Sequence, residues 1–365
     1  MLYFLQQLKI LMVSDKPCKT VLIRVDATAT IGAGHFVRCI ALAQGLTSLG
    51  VNVVFVCIAE SVDFINALHD FPFQYVTIDS DGVDEINYLA EQYNSKLVVI
   101  DGYQFSSDYR LALQKENYQL IAIDDNNDGG NLFADLIINP TVYKDNQPDY
   151  SDQKTMTNQP VKVIAGEEYR LLRSEITDIM PIEWSKRSGI GVILGGSDPK
   201  SLTIPVVKAL TAELNKLGIQ PDVEVFIGAA VVNPKGVLEE LKRLKQNYTY
   251  LTWVQNPVNI GEKLAQKQLV ISASGGTQFE LYALAVPAIL LIVANNQFAN
   301  SQIAQQQGWA KVLDVRNDFS ISDFDIALTQ MLSANTLVKS YQNMPKYGDD
   351  GALNCALVIK KQFLD

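Results

Sequence analysis

The sequence predicts an α/β protein built from two parallel-sheet halves that face one another across a cleft, and three observations predict it. Apolar, β-branched runs that end in polar residues alternate with helix-like stretches along most of the 365 residues. Each half opens with a strand that feeds a glycine-containing loop and then a helix, at 21–50 and again at 189–203. Both halves place glycines and polar side chains just past strand ends, where open α/β sheets bind ligands.

Length and composition narrow the function. The chain can support two domains with substantial cores, and its 48% hydrophobic content is ordinary for a globular protein. A net charge of −10 speaks against nucleic acid or an anionic membrane as the main partner, since both reward a basic face. An anionic small ligand therefore needs local positive ends. Cys18, Cys39, Cys57 and Cys355 lack metal or disulfide spacing and read as reduced packing residues of a cytoplasmic protein. With His35 and His69 as the two histidines, a zinc site is not expected, and no cofactor is called for.

Residues 1–20 stand apart as a leader extension. The run 1–13 is apolar but is interrupted by Lys9, has no basic leading region and no cleavage site, and is too short to span a bilayer. Met12 offers a second start codon, so the leader is either an artefact of start assignment or a short interfacial helix. Stable membrane insertion is not expected.

The first half begins with the run 21–25, a buried strand, followed by the polar loop 26–34 that delivers His35 to the start of a long apolar helix. Gly32 and Gly34 let this loop turn sharply and approach a ligand. The first N–H groups of the helix have no partner inside it, so its end attracts anions and favours a neutral imidazole able to accept a proton. Gly50 ends the helix and 51–58 supplies the next strand. Further strands at 73–78, 96–100 and 119–123 alternate with helices near 83–93 and 106–116, and their tips carry Asp79, Asp101 with Tyr103, and Asp124 with Asp125. Charged turns are also the commonest exit from a strand, so each tip taken singly has a plain structural explanation. The segment 140–160 is polar and aperiodic and reads as surface near a domain boundary. After it, Tyr169 and Arg173 are expected to face the cleft.

The second half repeats the logic. A short strand runs into Gly195-Gly196, with Ser197 or Asp198 as helix cap and Pro199 at the first helical position. Strands follow at 222–228 and 248–254 with an amphipathic helix between them. The stretch 269–297 reads as strand, Gly275-Gly276 loop, helix, Pro287, strand, and the polar tip Asn295-Asn296-Gln297. Residues 320–365 read as helices.

Two glycine loops facing each other suit a diphosphate-linked ligand. A dinucleotide fingerprint needs a third glycine where this chain has Val37, which counts against a dinucleotide. Glu280, three residues after Thr277, suits a capping box and also suits an acceptor for ribose hydroxyls while the 274–277 backbone holds phosphate. His35 reads as a general base, with phosphate contact alone as the competing role.

Taken together, the stretch 24–39 with its GxGHxxRC string, Asp101 and Tyr103, the stretch 169–173, GGSDP at 195–199 and the segment 272–297 resemble the UDP-2,4-diacetamido-2,4,6-trideoxy-β-L-altropyranose hydrolases of pseudaminic acid biosynthesis. The resemblance covers most of the chain from Val21 onward. It implies a GT-B-like pair of Rossmann-like domains, at 21–180 with the catalytic His35 and at 181–365 with the nucleotide site, the last helix being a candidate to cross back. It further implies hydrolysis of a UDP-sugar without a metal, with inversion and release of UDP. Substrate contacts are then expected at Gly32, Gly34, Arg38, Asp26, Tyr103, Arg173, Asn296 and Gln297. Nucleotide contacts are expected at Gly195, Gly196, Ser197, Ser274, Gly275, Gly276, Thr277 and Glu280. Arg38 and Asp26 are also expected to hold the first loop in shape. A glycosyltransferase of the same architecture and a non-catalytic nucleotide-sugar binding protein remain open, and a monomer or weak dimer is expected.

Overall fold

Two parallel sheets carry the chain. The structure, a computed structural model, describes residues 19–28, 31–68, 71–79, 82–115, 118–141, 148–180, 182–333, 335–344 and 350–365. The expectations for residues 1–18, Cys18 among them, and for His69 lie outside the described residues. In chain order the first sheet and its helices are β1 (Thr20–Val25), α1 (Gly34–Ser48), β2 (Asn52–Ile58), α2 (Ser61–Ala67), β3 (Gln74–Ile78), α3 (Val83–Gln92), β4 (Leu97–Asp101), α4 (Ser107–Lys115), β5 (Gln119–Ile123), β6 (Leu136–Asn139) and β7 (Lys162–Ala165), followed by the short α5 (Ser174–Thr177). The second comprises β8 (Ile190–Ile193), α6 (Thr203–Lys216), β9 (Val223–Ile227), α7 (Pro234–Lys245), β10 (Leu251–Gln255), α8 (Ile260–Ala265), β11 (Leu269–Ala273), α9 (Thr277–Ala283), β12 (Ala288–Ile292), α10 (Phe298–Gln306) and β13 (Ala310–Asp314). Helices α11 (Ile321–Leu332), α12 (Thr336–Gln342) and α13 (Gly351–Ile359) complete the chain.

The strand orders are β3-β2-β1-β4-β5-β6-β7 and β10-β9-β8-β11-β12-β13. Each sheet therefore starts in its middle, builds outward to one edge and then returns to build the other side. The reversal leaves a crevice between the loops after β1 and β4, and a second one between the loops after β8 and β11. Register sharpens this placement, because Val25 at the end of β1 lies beside Asp101 at the end of β4. All six residues of β1 are buried, as a central parallel strand covered on both faces requires, and this explains its continuous apolar run. Its one charged member, Arg24, is paired with Asp26 and stacks over the Phe105 ring at 4.7 Å.

Helix α1 buries Phe36, Cys39, Ile40, Leu42 and Leu46 against the first sheet. Gly50, with φ +77°, closes the helix end by giving its N–H to the Thr47 carbonyl. Helix α13 then returns from the C-terminal end of the chain to pack Ala352, Cys355, Ala356 and Ile359 into the same core. Burying Ile359 contributes about 1.5–3 kcal/mol. Gly45 permits the contact, since a Cβ there would stand 2.5 Å from the Ala352 carbonyl oxygen.

Three strands, β6, β7 and β13, were not anticipated. β6 is four residues long and β7 begins with an exposed Lys162, so neither forms a run long enough to stand out. Because β6 and β7 pair with each other, the polar segment at 140–160 lies within the first sheet's chain and is not at a boundary between the two sheets. Pro199 is not the first helical residue either, because α6 begins at Thr203.

A substitution at the Gly45 contact tests the packing of α13. Gly45→Leu is expected to destabilise the protein by about 1–3 kcal/mol through overpacking, seen as a lower midpoint of thermal unfolding. An unchanged midpoint contradicts the close approach of α1 and α13.

Candidate active site

The crevice of the first sheet is organised on one carboxylate. Asp101 ends β4, is fully buried, and accepts from three side chains of α1, those of His35, Arg38 and, at 3.6 Å, Cys39. Its Oδ1 lies 2.7 Å from His35 Nδ1. Arg38, one turn further along the same helix face, donates from Nε to Oδ2 at 2.6 Å and from Nη2 to Oδ1 at 2.6 Å. The remaining Nη1 donates to Asp125 Oδ1 at 2.6 Å. Burial by itself raises the Asp101 carboxyl, yet Arg38 and His35 outweigh it and hold the group well below the usual carboxylate range. Burial likewise opposes the Arg38 charge, and Asp101 and Asp125 more than restore it.

An ionised carboxylate only accepts, so the proton between it and the ring sits on Nδ1. The 3.1 Å approach of Arg38 Nη2 to Nδ1 is then two donors sharing one oxygen. In the neutral ring with its proton on Nδ1, Nε2 carries the lone pair, and among the described residues it makes no hydrogen bond. The Tyr103 ring meets the imidazole edge-on, with centroids 4.7 Å apart and planes at 87°. His35 is thus oriented from two sides and open at one nitrogen, the arrangement a general base requires.

Tyr103 connects this group to the second sheet. Its hydroxyl donates to Asp125 Oδ2 at 2.6 Å and accepts from Asn296 Nδ2 at 3.1 Å, Asn296 lying in the turn after β12. Burial first and then the Asp125 charge push the Tyr103 phenol well above its ordinary value, so it keeps its proton. A second bridge runs from Arg173 Nη2, beside α5, to Glu280 Oε1 on α9 at 3.3 Å. The glycine loops also meet. A Cβ at Gly196 would lie 3.1 Å from Ala33 Cβ, and one at Gly32 would lie 3.9 Å from Ser197 Oγ. Gly32 (φ +83°) and Gly195 (φ +78°) take the left-handed backbone that makes both turns possible.

In the second crevice Gly275 and Gly276 follow the fully buried Ser274, whose Oγ has no partner among the described residues. Gly276 is the cap residue of α9 and Thr277 its first helical residue, with no side-chain cap bond. The capping box expected from Thr277 and Glu280 is therefore absent, and the Glu280 carboxylate turns toward Arg173 instead. Asp198, and not Ser197, prepares the start of α6, accepting from the Leu202 and Thr203 N–H groups at 2.9 Å each.

Several expected substrate contacts are occupied within the protein. Asp26 is buried and holds Arg24, the Ile58 N–H at 2.9 Å and Gln104 at 3.1 Å, so it shapes the loop from beneath. Arg38 has all three nitrogens on carboxylates. Gln297 accepts from the Val293 N–H at 2.9 Å through its side-chain oxygen, which ties it to its own strand end. Tyr169 packs against the first core and its carbonyl accepts from Cys355, away from the cleft. Gly34 is the first residue of α1. Asp125 is the member of the group that the sequence did not single out. Its signal was its place at the tip of β5, next to β4 in the sheet. Among the described residues no group of three or more His, Cys, Asp or Glu side chains is placed to hold a metal ion, and no helix is long and apolar enough to cross a membrane.

Comparison with known proteins bears on the fold. No protein-family model matches the sequence. An uncharacterized protein of Methanocaldococcus jannaschii is 25% identical over 276 residues, 73% of this chain and 54% of the relative, so the chain spans about half the length of the curated relative it matches. Among solved structures, Acinetobacter baumannii MurG aligns over 94% of this chain and 100% of its own, with a TM-score of 0.59 and 16% identity. S. aureus MnaA, solved with UDP, aligns over 95% and 97% with a TM-score of 0.62 and 11% identity. The spinosyn rhamnosyltransferase SpnG, complexed with thymidine diphosphate, aligns over 93% and 100% with a TM-score of 0.61 and 15% identity. The chain has a GT-B-like fold of two parallel-sheet α/β domains.

The depressed Asp101 carboxyl makes a prediction about acid stability. A carboxyl held below its unfolded value of about 3.9 stabilises the fold fully above that pH and loses its contribution as pH falls toward the folded value. Asp101→Asn is expected to cost about 3–5 kcal/mol at neutral pH, as breaking a buried pair does. Its stability is also expected to fall less steeply than the wild type's as the medium is acidified below that unfolded value. Denaturant titrations across the range measure both, and equal acid slopes contradict the assignment.

Proposed function

We propose that this chain is a nucleotide-sugar hydrolase that cleaves a UDP-linked 2,4-diacetamido-2,4,6-trideoxyhexose, as the resemblance of its loops implies. The observation that carries the proposal is the open Nε2 of His35, with Asp101 fixed on Nδ1, at a crevice whose Tyr103 touches Asn296 of the facing half. On this reading residues 21–180, joined by α13, and the rest of 181–365 are the two functional units. Water gives a proton to Nε2 as its oxygen bonds to the anomeric carbon. The bond from that carbon to the β-phosphate oxygen breaks with its electron pair, and UDP leaves with inversion. Asp101 stays ionised and stabilises the imidazolium as it forms. A nucleoside diphosphate leaves readily, so the second carboxylic acid that glycosidases use on a sugar alcohol is not needed. The backbone N–H groups of the Gly195-Gly196 and 274–277 loops take the diphosphate charge, and Glu280 takes the ribose hydroxyls. UDP in the MnaA structure and thymidine diphosphate in the SpnG structure support a nucleoside diphosphate as part of the ligand.

A second reading, a glycosyltransferase, is favoured by the likeness to SpnG, a rhamnosyltransferase. The same base can deprotonate an acceptor hydroxyl. A binding protein without turnover gives no reason for an oriented imidazole with one open nitrogen.

Incubation with UDP-2,4-diacetamido-2,4,6-trideoxy-β-L-altropyranose and no acceptor separates these readings. Prompt stoichiometric release of UDP is expected. Release only after a sugar or other acceptor is added supports transfer, and UDP binding without turnover supports a binding protein. His35→Ala is expected to keep its affinity for UDP while turnover falls by about 10²–10⁴, the usual worth of a general base. Equal losses in binding and turnover assign His35 to positioning instead.

A further inference from the structure

Among the described residues Asp125 makes no hydrogen bond to the imidazole, yet both of its oxygens are committed to the residues that frame His35. Oδ1 takes Arg38 Nη1 and Oδ2 takes the Tyr103 hydroxyl, each at 2.6 Å. The residue is buried, and its backbone carbonyl is held by Asn139 Nδ2 at 2.9 Å, so the tip of β5 cannot swing away without breaking three bonds. We infer that Asp125 is a positioning residue for the hydrolysis proposed above, setting the direction of every hydrogen bond from Arg38 to the facing half.

The argument follows from donor and acceptor chemistry. A carboxylate has no proton to give, so the single proton of the Tyr103 hydroxyl points to Asp125. The lone pairs of that hydroxyl are then turned outward, where one accepts from Asn296 Nδ2 at 3.1 Å. This fixes the Asn296 amide as well. Its nitrogen faces Tyr103, and its oxygen, which accepts no hydrogen bond among the described residues, is the free acceptor at the junction of the halves. On the other side Asp125 holds the outer nitrogen of Arg38, so the inner edge of the guanidinium lies flat on Asp101 and Asp101 lies in line with Nδ1. One carboxylate thereby sets the Tyr103 ring against the imidazole, the tilt of Asp101 and the amide of the partner half. An asparagine at 125 keeps the shape but offers an N–H to one neighbour: turned to Arg38 it opposes a donor, and turned to Tyr103 it makes the hydroxyl an acceptor and releases its proton from the direction Asp125 had set.

The inference rests on the hydrolase reading, and its test is built to fail separately from it. Turnover of the UDP-sugar is measured for the wild type, Asp125→Asn, Tyr103→Phe, the double variant and His35→Ala. Asp125→Asn and Tyr103→Phe are each expected to lower kcat by roughly 10- to 100-fold, the usual cost of removing an outer partner of a site, with KM nearly unchanged. The double variant is expected to be no slower than the slower single one, because both break one chain of bonds. The sequence has two histidines, so the His35 imidazole nitrogen signals are readily resolved by NMR, and in Asp125→Asn they are expected to shift and broaden as the ring loses its fixed setting. Wild-type kcat in Asp125→Asn, losses that multiply in the double variant, or unmoved His35 signals overturn the inference. Should Asp125→Asn not fold, Tyr103→Phe decides alone, and wild-type kcat there overturns it. Absence of UDP release by the wild type without an acceptor removes the hydrolase reading itself, and full turnover by His35→Ala removes His35 as its base, whereas an inactive His35→Ala beside fully active Asp125 and Tyr103 variants removes the positioning role alone.

Discussion

The buried grip of Arg38 on Asp101 is the interaction on which the rest of the site depends. Removing a carboxylate and a guanidinium from water costs several kcal/mol for each, and only near-ideal geometry with further hydrogen bonds offsets it. Here the guanidinium lies bidentate on Asp101 and reaches Asp125 with its third nitrogen, while Asp101 adds the His35 N–H. The result is an imidazole whose tautomer is set by its surroundings. Rigidity of this kind lowers the reorganisation needed when a proton moves, which is where preorganised polar groups contribute most to catalysis.

Strand order explains why these residues meet. His35 and Asp101 are 66 positions apart in sequence, but β1 and β4 are neighbours because the sheet reverses direction between them. Helix α1 carries both His35 and Arg38 on one face, three residues apart, above the end of β4. The second sheet repeats the topology and brings its own reversal, with the Gly195-Gly196 and Ser274 to Gly276 loops, opposite the first. Tyr103 with Asn296, and Arg173 with Glu280, join the two crevices by direct hydrogen bonds. On the proposed reading, a ligand that spans both crevices has its labile bond beside Nε2.

Much of this architecture was legible in the sequence because long apolar runs in a parallel sheet have one reading. The central strands, the helix after Gly32 and Gly34, and the glycine loops of both halves lie where their patterns placed them. Short elements were not legible: the four residues of β6 offer no period, and β7 carries an exposed lysine. Caps were misread for a different reason. Thr277 and Glu280 have capping-box spacing, but the Gly275-Gly276 turn starts the helix at Thr277 itself and leaves Glu280 to Arg173. Pro199 suits a helix start, but Asp198 at φ +44° bends the chain and moves that start to Thr203. The site was half legible. His35 announced itself by its loop, and Asp101 by its strand tip. Their pairing was hidden, since it depends on which strand lies beside which, and Asp125 was hidden for the same reason. Asp26 and Arg38 looked like ligand contacts because they are polar residues in a loop and an early helix turn, although both face inward to partners supplied by distant chain.

The central claim is that water, activated by His35, attacks the sugar carbon and not the phosphorus. Hydrolysis of the UDP-sugar in ¹⁸O-labelled water, with both products weighed by mass spectrometry, tests it most directly. The account predicts that the label is found in the released sugar and that UDP carries none. Label in the β-phosphate of UDP would contradict it.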